Sequence, residues 1–207
     1  AQDLRRVMDA AGVERAPLIA FSMGCQVALE SWRHFPERIS AIVPVLGSYG
    51  RLFDNFLHPA VGPRVLNALR TLPAPMAGAI LKSGARLTRL PGAHRLSQLS
   101  GQIGPGVPKA QMAPFYSHLT RIDGRTARWM AVSAGEHDAG DILAHINVPV
   151  LVIAGGRDAF TPPKLSRHIA ATAPHGELIE LPNATHTGLY DEAETLNLAV
   201  EEFLDRQ

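Results

Sequence analysis

The sequence predicts an α/β fold: a mostly parallel sheet flanked by helices, with a helical insertion in the middle. Three observations carry that prediction. Short apolar runs bounded by turn residues recur near both ends of the chain, at 17–21, 39–46, 148–154 and 178–181. Stretches with apolar residues at helical spacing separate them, which is the alternation that builds a parallel sheet covered on both sides. Between about residues 50 and 140 that alternation stops and only helical pieces remain.

Leu4, Val7, Met8 and Ala11 recur at helical spacing, so the chain opens on one face of a helix that Gly12 stops. Pro17–Phe21 is the first strand. Cys25, Ala28, Leu29 and Trp32 mark the next helix, which Pro36 ends. Ile39–Leu46 reads as a buried strand, although Pro44 conflicts with a central position because it has no N–H for the ladder. From about Tyr49 to Gly140, helical pieces such as 63–72 and 76–90 are divided by prolines and glycines. Their apolar residues (Leu66, Leu69, Ile80, Leu81, Met112, Phe115, Tyr116 and Met130) suit packing over another surface, as an insertion within one domain spanning 1–207. Strand and helix alternate again from Val148, with a helix over about 162–173, a strand at 178–181 and a closing helix from about Glu192. Leu196, Val200, Phe203 and Leu204 form the inner face of that last helix.

Composition narrows the function classes. The 207 residues suffice for one domain with a sizeable core, and 46% hydrophobic against 19% charged residues is ordinary for a globular protein. A formal net charge of +1 gives no electrostatic footing for nucleic acid or an acidic membrane surface. The single cysteine, Cys25, rules out an internal disulfide. No stretch approaches the ~20 consecutive apolar residues of a membrane span. No secretory pattern stands at the start, and a cytoplasmic location is the expectation.

The most informative stretch is Ala20-Phe21-Ser22-Met23-Gly24. A serine held between a strand and a helix, with small residues two positions before and after it, is what a nucleophile elbow requires. Bulk at position 20 or 24 is expected to collide with neighbouring backbone. The hydroxyl then projects from the end of the sheet at the start of a helix, where a backbone N–H can face a developing oxyanion. Glycine is the usual first small residue; alanine stands here, and a positive φ would cost it something that glycine avoids. Serine is also a good helix N-cap, so the pentapeptide alone leaves both readings open.

Two further polar residues follow strands. Asp158 lies past the strand ending at Ala154, after Gly155-Gly156-Arg157, and His186 lies past the strand ending at Leu181. Functional groups of open α/β sheets collect outside the carboxyl ends of the strands. The chemistry asks for these residue types together. A serine hydroxyl needs an imidazole to take its proton, and the imidazole needs a carboxylate to fix its tautomer and stabilise its charged form. Each residue has a plainer role available: Asp158 as a turn residue, His186 as one of nine structural or solvent-facing histidines. Placement of all three at strand ends favours the catalytic reading. His137 and Asp138, with Asp141 nearby, could suggest a metal site, but no third ligand group stands at a recognisable spacing, so a polar loop surface is preferred. His34, His58, His94, His118, His145, His168 and His175 have no strand-end context. Cys25 is expected to be a small buried apolar residue where the helix packs on the sheet.

On the residues 20–24, 150–158 and 181–186, the chain resembles the α/β-hydrolase family, with the helical stretch between them matching the family's variable cap. The order Ser, Asp, His is also the family's. The resemblance implies Ser22 as nucleophile, His186 as base, Asp158 as acid and the Met23 backbone N–H as one oxyanion donor. The Ser-Met-Gly form is similar to that of esterases, carbon–carbon bond hydrolases and cofactor-free perhydrolases. Relatives that use an aspartate nucleophile are disfavoured by Ser22. Family members normally carry several strands and a helix before the elbow, and a loop there supplies a second oxyanion N–H. Here Ala1 falls in the helix just before the elbow strand. The expectation is an N-terminally truncated hydrolase with an uncovered first strand, or an edge covered by a partner chain in a homo-oligomer.

The expected function is a serine hydrolase acting on a carboxylic ester of a small or medium apolar substrate, with no metal or organic cofactor. The alternatives are a carbon–carbon bond hydrolase or a perhydrolase with the same triad, and a non-catalytic ligand-binding module.

Overall fold

The computed structural model describes residues 1–56, 61–88 and 90–207; His58 lies outside them. The sheet has four parallel strands in the order β1 (Ala16–Phe21), β2 (Ile39–Val45), β3 (Val150–Gly155) and β4 (Gly176–Leu181). α1 (Gln2–Ala10) precedes β1, and α2 (Met23–His34) joins β1 to β2. Between β2 and β3 run α3 (Leu52–Phe56), α4 (Gly62–Thr71), α5 (Ala74–Leu87), α6 (Ala93–Leu99), α7 (Lys109–Leu119) and α8 (Gly124–Glu136). α9 (Pro163–Thr172) links β3 to β4, and α10 (Gly188–Asp191) and α11 (Ala193–Leu204) end the chain. The strand and helix positions read from the sequence agree with this order. The four-residue α10 is an addition that apolar spacing could not reveal.

Two apolar layers sandwich the sheet, and the two-residue period of a strand divides them. Ile42, Val150 and Val152 point to the side of α2 and α9, where Cys25, Leu29 and Ile169 are buried. Ala41, Val43, Leu151 and Ile153 point to the side of α11, against Leu196, Val200 and Phe203. Each such side chain, fully buried, contributes roughly 1.5–3 kcal/mol if it is a Val, Leu or Ile. β3 is buried at every position, as a central parallel strand should be.

β1 is covered on one side. Ala20 is buried under α2, but Ile19 on the other face is 57% exposed and Phe21 is 38% exposed. β1 pairs only with β2 among the described residues. The helical stripe expected at the start is also narrower than its spacing implied. Met8 is buried and Leu4 packs against the core, whereas Val7 is 64% exposed. α1 rests on the layer along one row, so neighbours at i−1 and i+3 of Met8 fall outside the contact. Gly12 does follow the helix with φ 67°, the left-handed conformation of a helix stop.

Pro44 sits inside a central strand. Its place in the ladder is toward β3, between the Ile42 N–H, which donates to Pro149 O at 3.0 Å, and the Leu46 N–H, which donates to Ile153 O at 2.9 Å. The strand is held by those flanking bonds and by the β1 side, so one missing donor is tolerated. In the insertion, Met112 is buried and Leu66, Leu69, Leu81, Tyr116 and Met130 are half-buried. Ile80 is exposed, contrary to the packing role expected for it, and Phe115 is partly exposed, at 51%.

Candidate functional site

All four strands run the same way, so their carboxyl ends share one edge of the sheet. Ser22 follows β1 directly and Met23 opens α2. The Ser22 backbone has φ 53° and ψ −120°, a conformation costly for any residue but glycine. The positive φ therefore falls on the serine, and Ala20 stays extended in β1 opposite Pro44. Ser22 N–H donates to Val45 O at 3.0 Å, and Cys25 N–H donates to Ser22 O at 3.0 Å, which hold the turn at both ends.

Of the glycines beside the serine, the tightest lies outside the pentapeptide. A methyl at Gly24 would meet only Ala20 Cβ, at an ordinary 3.9 Å. At Gly47, just past β2, a methyl would run into Cys25 Sγ and approach Ser22 O at 2.8 Å. Sequence reasoning missed Gly47 as the tight position because the contact joins the turn after β2 to the start of α2, which meet only on folding. It likewise missed buried Leu46, whose φ is 48°.

The serine occupies the N-cap place of α2, but its side chain makes no capping hydrogen bond. Its Oγ lies 2.8 Å from His186 Nε2 instead, across 164 residues of sequence. His186 Nδ1 lies 2.8 Å from Asp158 Oδ2. With the carboxylate as acceptor, Nδ1 carries the proton and Nε2 is left to accept from the serine hydroxyl. The structure thus brings together all three side chains singled out at the strand ends.

Asp158 is anchored by more than histidine. Its side chain is 0% exposed. Oδ1 accepts the Phe160 N–H at 2.8 Å and the Thr161 N–H at 2.9 Å, and Oδ2 also accepts the Thr161 hydroxyl at 2.7 Å. It is a turn residue and a histidine partner at once. Glycines bring its loop to the histidine loop: Gly156 N–H donates to Leu181 O at 2.9 Å, and Arg157 N–H to Ala184 O at 3.0 Å. A methyl on Gly156 would press on Pro182 O at 2.6 Å, and one on Gly155 on Ala184 O at 2.8 Å. The imidazole is packed between Phe21 and Phe160, with ring centroids 5.3 Å and 4.9 Å away.

Met23 is the first residue of α2, and the first N–H groups of a helix have no acceptor within it. Its amide is thus available beside the serine. Beyond the hydroxyl opens a cavity of about 490 Å³. Leu52, Ile103, Met112 and Phe115 from the helical stretch line it, with Phe21 at the end of β1, Phe160 from the loop after β3, and Leu189 and Tyr190 from α10. No Lys, Arg, Asp or Glu is among its described lining residues.

The other candidates go elsewhere. Asp141 accepts from both terminal guanidinium nitrogens of Arg33, whose pull holds its carboxyl below the usual range, and Asp138 accepts the Gly140 N–H. His137 faces Glu30 at 3.3 Å. His94 bonds Val107 O, and His168 stacks on Tyr49. Cys25 is fully buried with its thiol on Ala20 O, and burial pushes its pKa up to about 12. Among the described residues, no helix is long and apolar enough to cross a membrane.

Comparison with known proteins gives the family. Over its whole length the chain is 26% identical to a 2-hydroxy-6-oxononadienedioate/2-hydroxy-6-oxononatrienedioate hydrolase of Burkholderia vietnamiensis, covering 68% of that protein. Over 92% of its length it is 26% identical to a pimeloyl-(acyl-carrier protein) methyl ester esterase of Neisseria meningitidis, covering 57% of that protein. The crystal structure of a hydrolase from Pseudomonas aeruginosa superposes with a TM-score of 0.73 at 24% identity, covering 98% of this chain and 69% of that one. Residues 1–193 match the family described as alpha/beta hydrolase fold, and the chain belongs to that family.

Proposed function

We propose that the chain carries the catalytic centre of a serine hydrolase that cleaves a carboxylic ester of a small or medium apolar substrate. One observation carries the reading: an unbroken relay, Ser22 Oγ to His186 Nε2 at 2.8 Å and His186 Nδ1 to Asp158 Oδ2 at 2.8 Å, that opens onto a cavity. Ser22 Oγ attacks the ester carbonyl as His186 Nε2 takes its proton. The Met23 N–H donates to the oxyanion of the tetrahedral intermediate. The imidazolium, stabilised by Asp158, then protonates the departing alkoxide, and an acyl group is left on Ser22. Water repeats the sequence, giving its proton to His186 and its hydroxyl to the acyl carbon, which frees the acid and the serine. No step calls for a metal or an organic cofactor. The helical insertion of about 50–140 serves as the roof of the same single domain, since Leu52, Ile103, Met112 and Phe115 line the cavity.

Carbon–carbon hydrolysis is the second reading, favoured by the Burkholderia relative. That relative is named for a dioate, which bears two carboxylates. A cavity without a cation among its described lining residues suits an uncharged acyl chain better. A fluorophosphonate probe tests the relay, and a panel of p-nitrophenyl esters against a vinylogous diketone tests the bond. Labelling of Ser22 and faster ester turnover are expected. An unlabelled serine in folded protein overturns the reading, and faster cleavage of the diketone transfers it to carbon–carbon chemistry.

A further inference from the structure

We propose that Thr187 is a positioning residue whose hydroxyl hooks the helical insertion onto the His186 loop and so sets the cavity roof above Ser22. Thr187 follows the histidine immediately and is buried. Its Oγ1 accepts the buried Gly104 N–H at 2.7 Å, 83 residues away in the insertion. Having accepted that proton, Thr187 has its own to give, and Thr185 Oγ1 lies 3.0 Å away. Thr185 in turn donates to Asp191 Oδ2 at 3.4 Å. The chain runs in one direction, from amide through two hydroxyls to a carboxylate, with each hydroxyl both accepting and donating.

Position 104 suits a residue without a side chain. A methyl on Gly104 would run into the Asp191 carboxylate and reach Asp191 Cβ at 2.9 Å, pushing the loop off its partner. The loop itself is stiff. The Gln98 side-chain amide donates to Gly104 O at 3.3 Å, Pro105 O at 3.0 Å and Val107 O at 3.3 Å. Ile103, Val107 and Met112 form a small buried cluster. Gln102 and Ile103, at the start of this loop, line the cavity. A shift at Gly104 therefore moves the cavity wall as a unit. None of the bonds among Ser22, His186 and Asp158 uses the Thr187 hydroxyl. Its loss is expected to alter how the substrate is held more than how the bond is broken.

The kinetic part of this inference rests on the ester-hydrolase reading; the structural part does not. Thr187→Val keeps the shape and removes the hydroxyl, and Thr187→Ser keeps the hydroxyl. With p-nitrophenyl hexanoate, Thr187→Val is expected to raise KM about tenfold, the effect of leaving a buried amide without an acceptor. Its kcat is expected to stay within about threefold, because the transition-state contacts are kept. With the acetate, too short to reach the roof, KM is expected to change less than about threefold, and Thr187→Ser is expected to restore the hexanoate value. Amide hydrogen exchange at Gly104 is the independent readout, with protection lowered about tenfold in Thr187→Val and kept in Thr187→Ser. Thr187→Ala supplies the same comparison if the valine variant does not fold. Unchanged Gly104 protection, or equal losses on both esters, overturns the inference. If even the unaltered protein hydrolyses neither ester, the enzymatic reading fails and the exchange measurement alone decides the hook.

Discussion

Histidine meets carboxylate in three pairs among the described residues, and of His186–Asp158 and His137–Glu30 only the first is built into a relay. His186 meets Asp158 at 2.8 Å, and that carboxylate is 0% exposed with both oxygens occupied by fixed donors. A serine hydroxyl lies on the other side of the ring. His137 meets Glu30 at 3.3 Å, but neither ring nitrogen has a hydrogen-bond partner. Glu30 is 31% exposed and is shared with Arg33 at 3.2 Å and His34 at 3.1 Å. Proximity of imidazole and carboxylate is common to both. Full burial of the carboxylate among donors of its own loop, which holds it still, and a nucleophile beyond the ring belong to one alone.

The comparison breaks most sharply at the nucleophile. Ser22→Ala is expected to lower ester turnover by about 10⁶-fold with the fold retained, read by kcat on p-nitrophenyl butyrate beside circular dichroism. Asp158→Asn is expected to cost about 10⁴-fold, because an amide can hold the wrong imidazole tautomer. Full activity in either variant would place the chemistry elsewhere. Gly47→Ala tests the backbone that carries the serine; the methyl must displace Cys25 Sγ or Ser22 O, at an expected loss of about 1–3 kcal/mol in urea unfolding.

At the other pair the effects are small. Glu30→Gln is expected to leave activity within about twofold and to change stability by less than about 1 kcal/mol, since partly exposed ion pairs contribute little. Loss of activity there would erase the distinction between the pairs. His137 adds a pH signature. Burial, the largest influence on it, pushes its pKa below the ordinary value, against the opposing pull of Glu30. The folded state then binds its proton less readily than the unfolded state does. Its contribution is fully present above pH ~6.5, the unfolded value, and is lost as pH falls from there through the lower folded value. His137→Asn is expected to flatten the stability profile in that window, measured by urea unfolding from about pH 7.5 to about pH 5.

Much of this contrast was already legible along the chain. Asp158 and His186 each follow an apolar strand, whereas His137 closes a helix in the insertion. Strand ends are readable because apolar runs and turn residues are local signals. The crowding at Gly47, the positive φ of Leu46 and the roof bond from Gly104 to Thr187 had no such signal, since each depends on segments that meet only after folding. The exposure of Val7 and Ile80 had no such signal either. Helical spacing reports which residues share a face, and nothing in it reports how wide the neighbouring surface is.

By itself the sequence determined the four strands, the helices between them and the three polar residues at strand ends, because each is encoded by spacing within a few residues. The tertiary structure decided which histidine reaches which carboxylate, and that the serine hydroxyl turns to an imidazole rather than capping its helix. It did so because parallel pairing of β1, β2, β3 and β4 sets all the carboxyl ends on one edge. Glycine-tight loops then close residues 28 and 164 positions apart to hydrogen-bond distance.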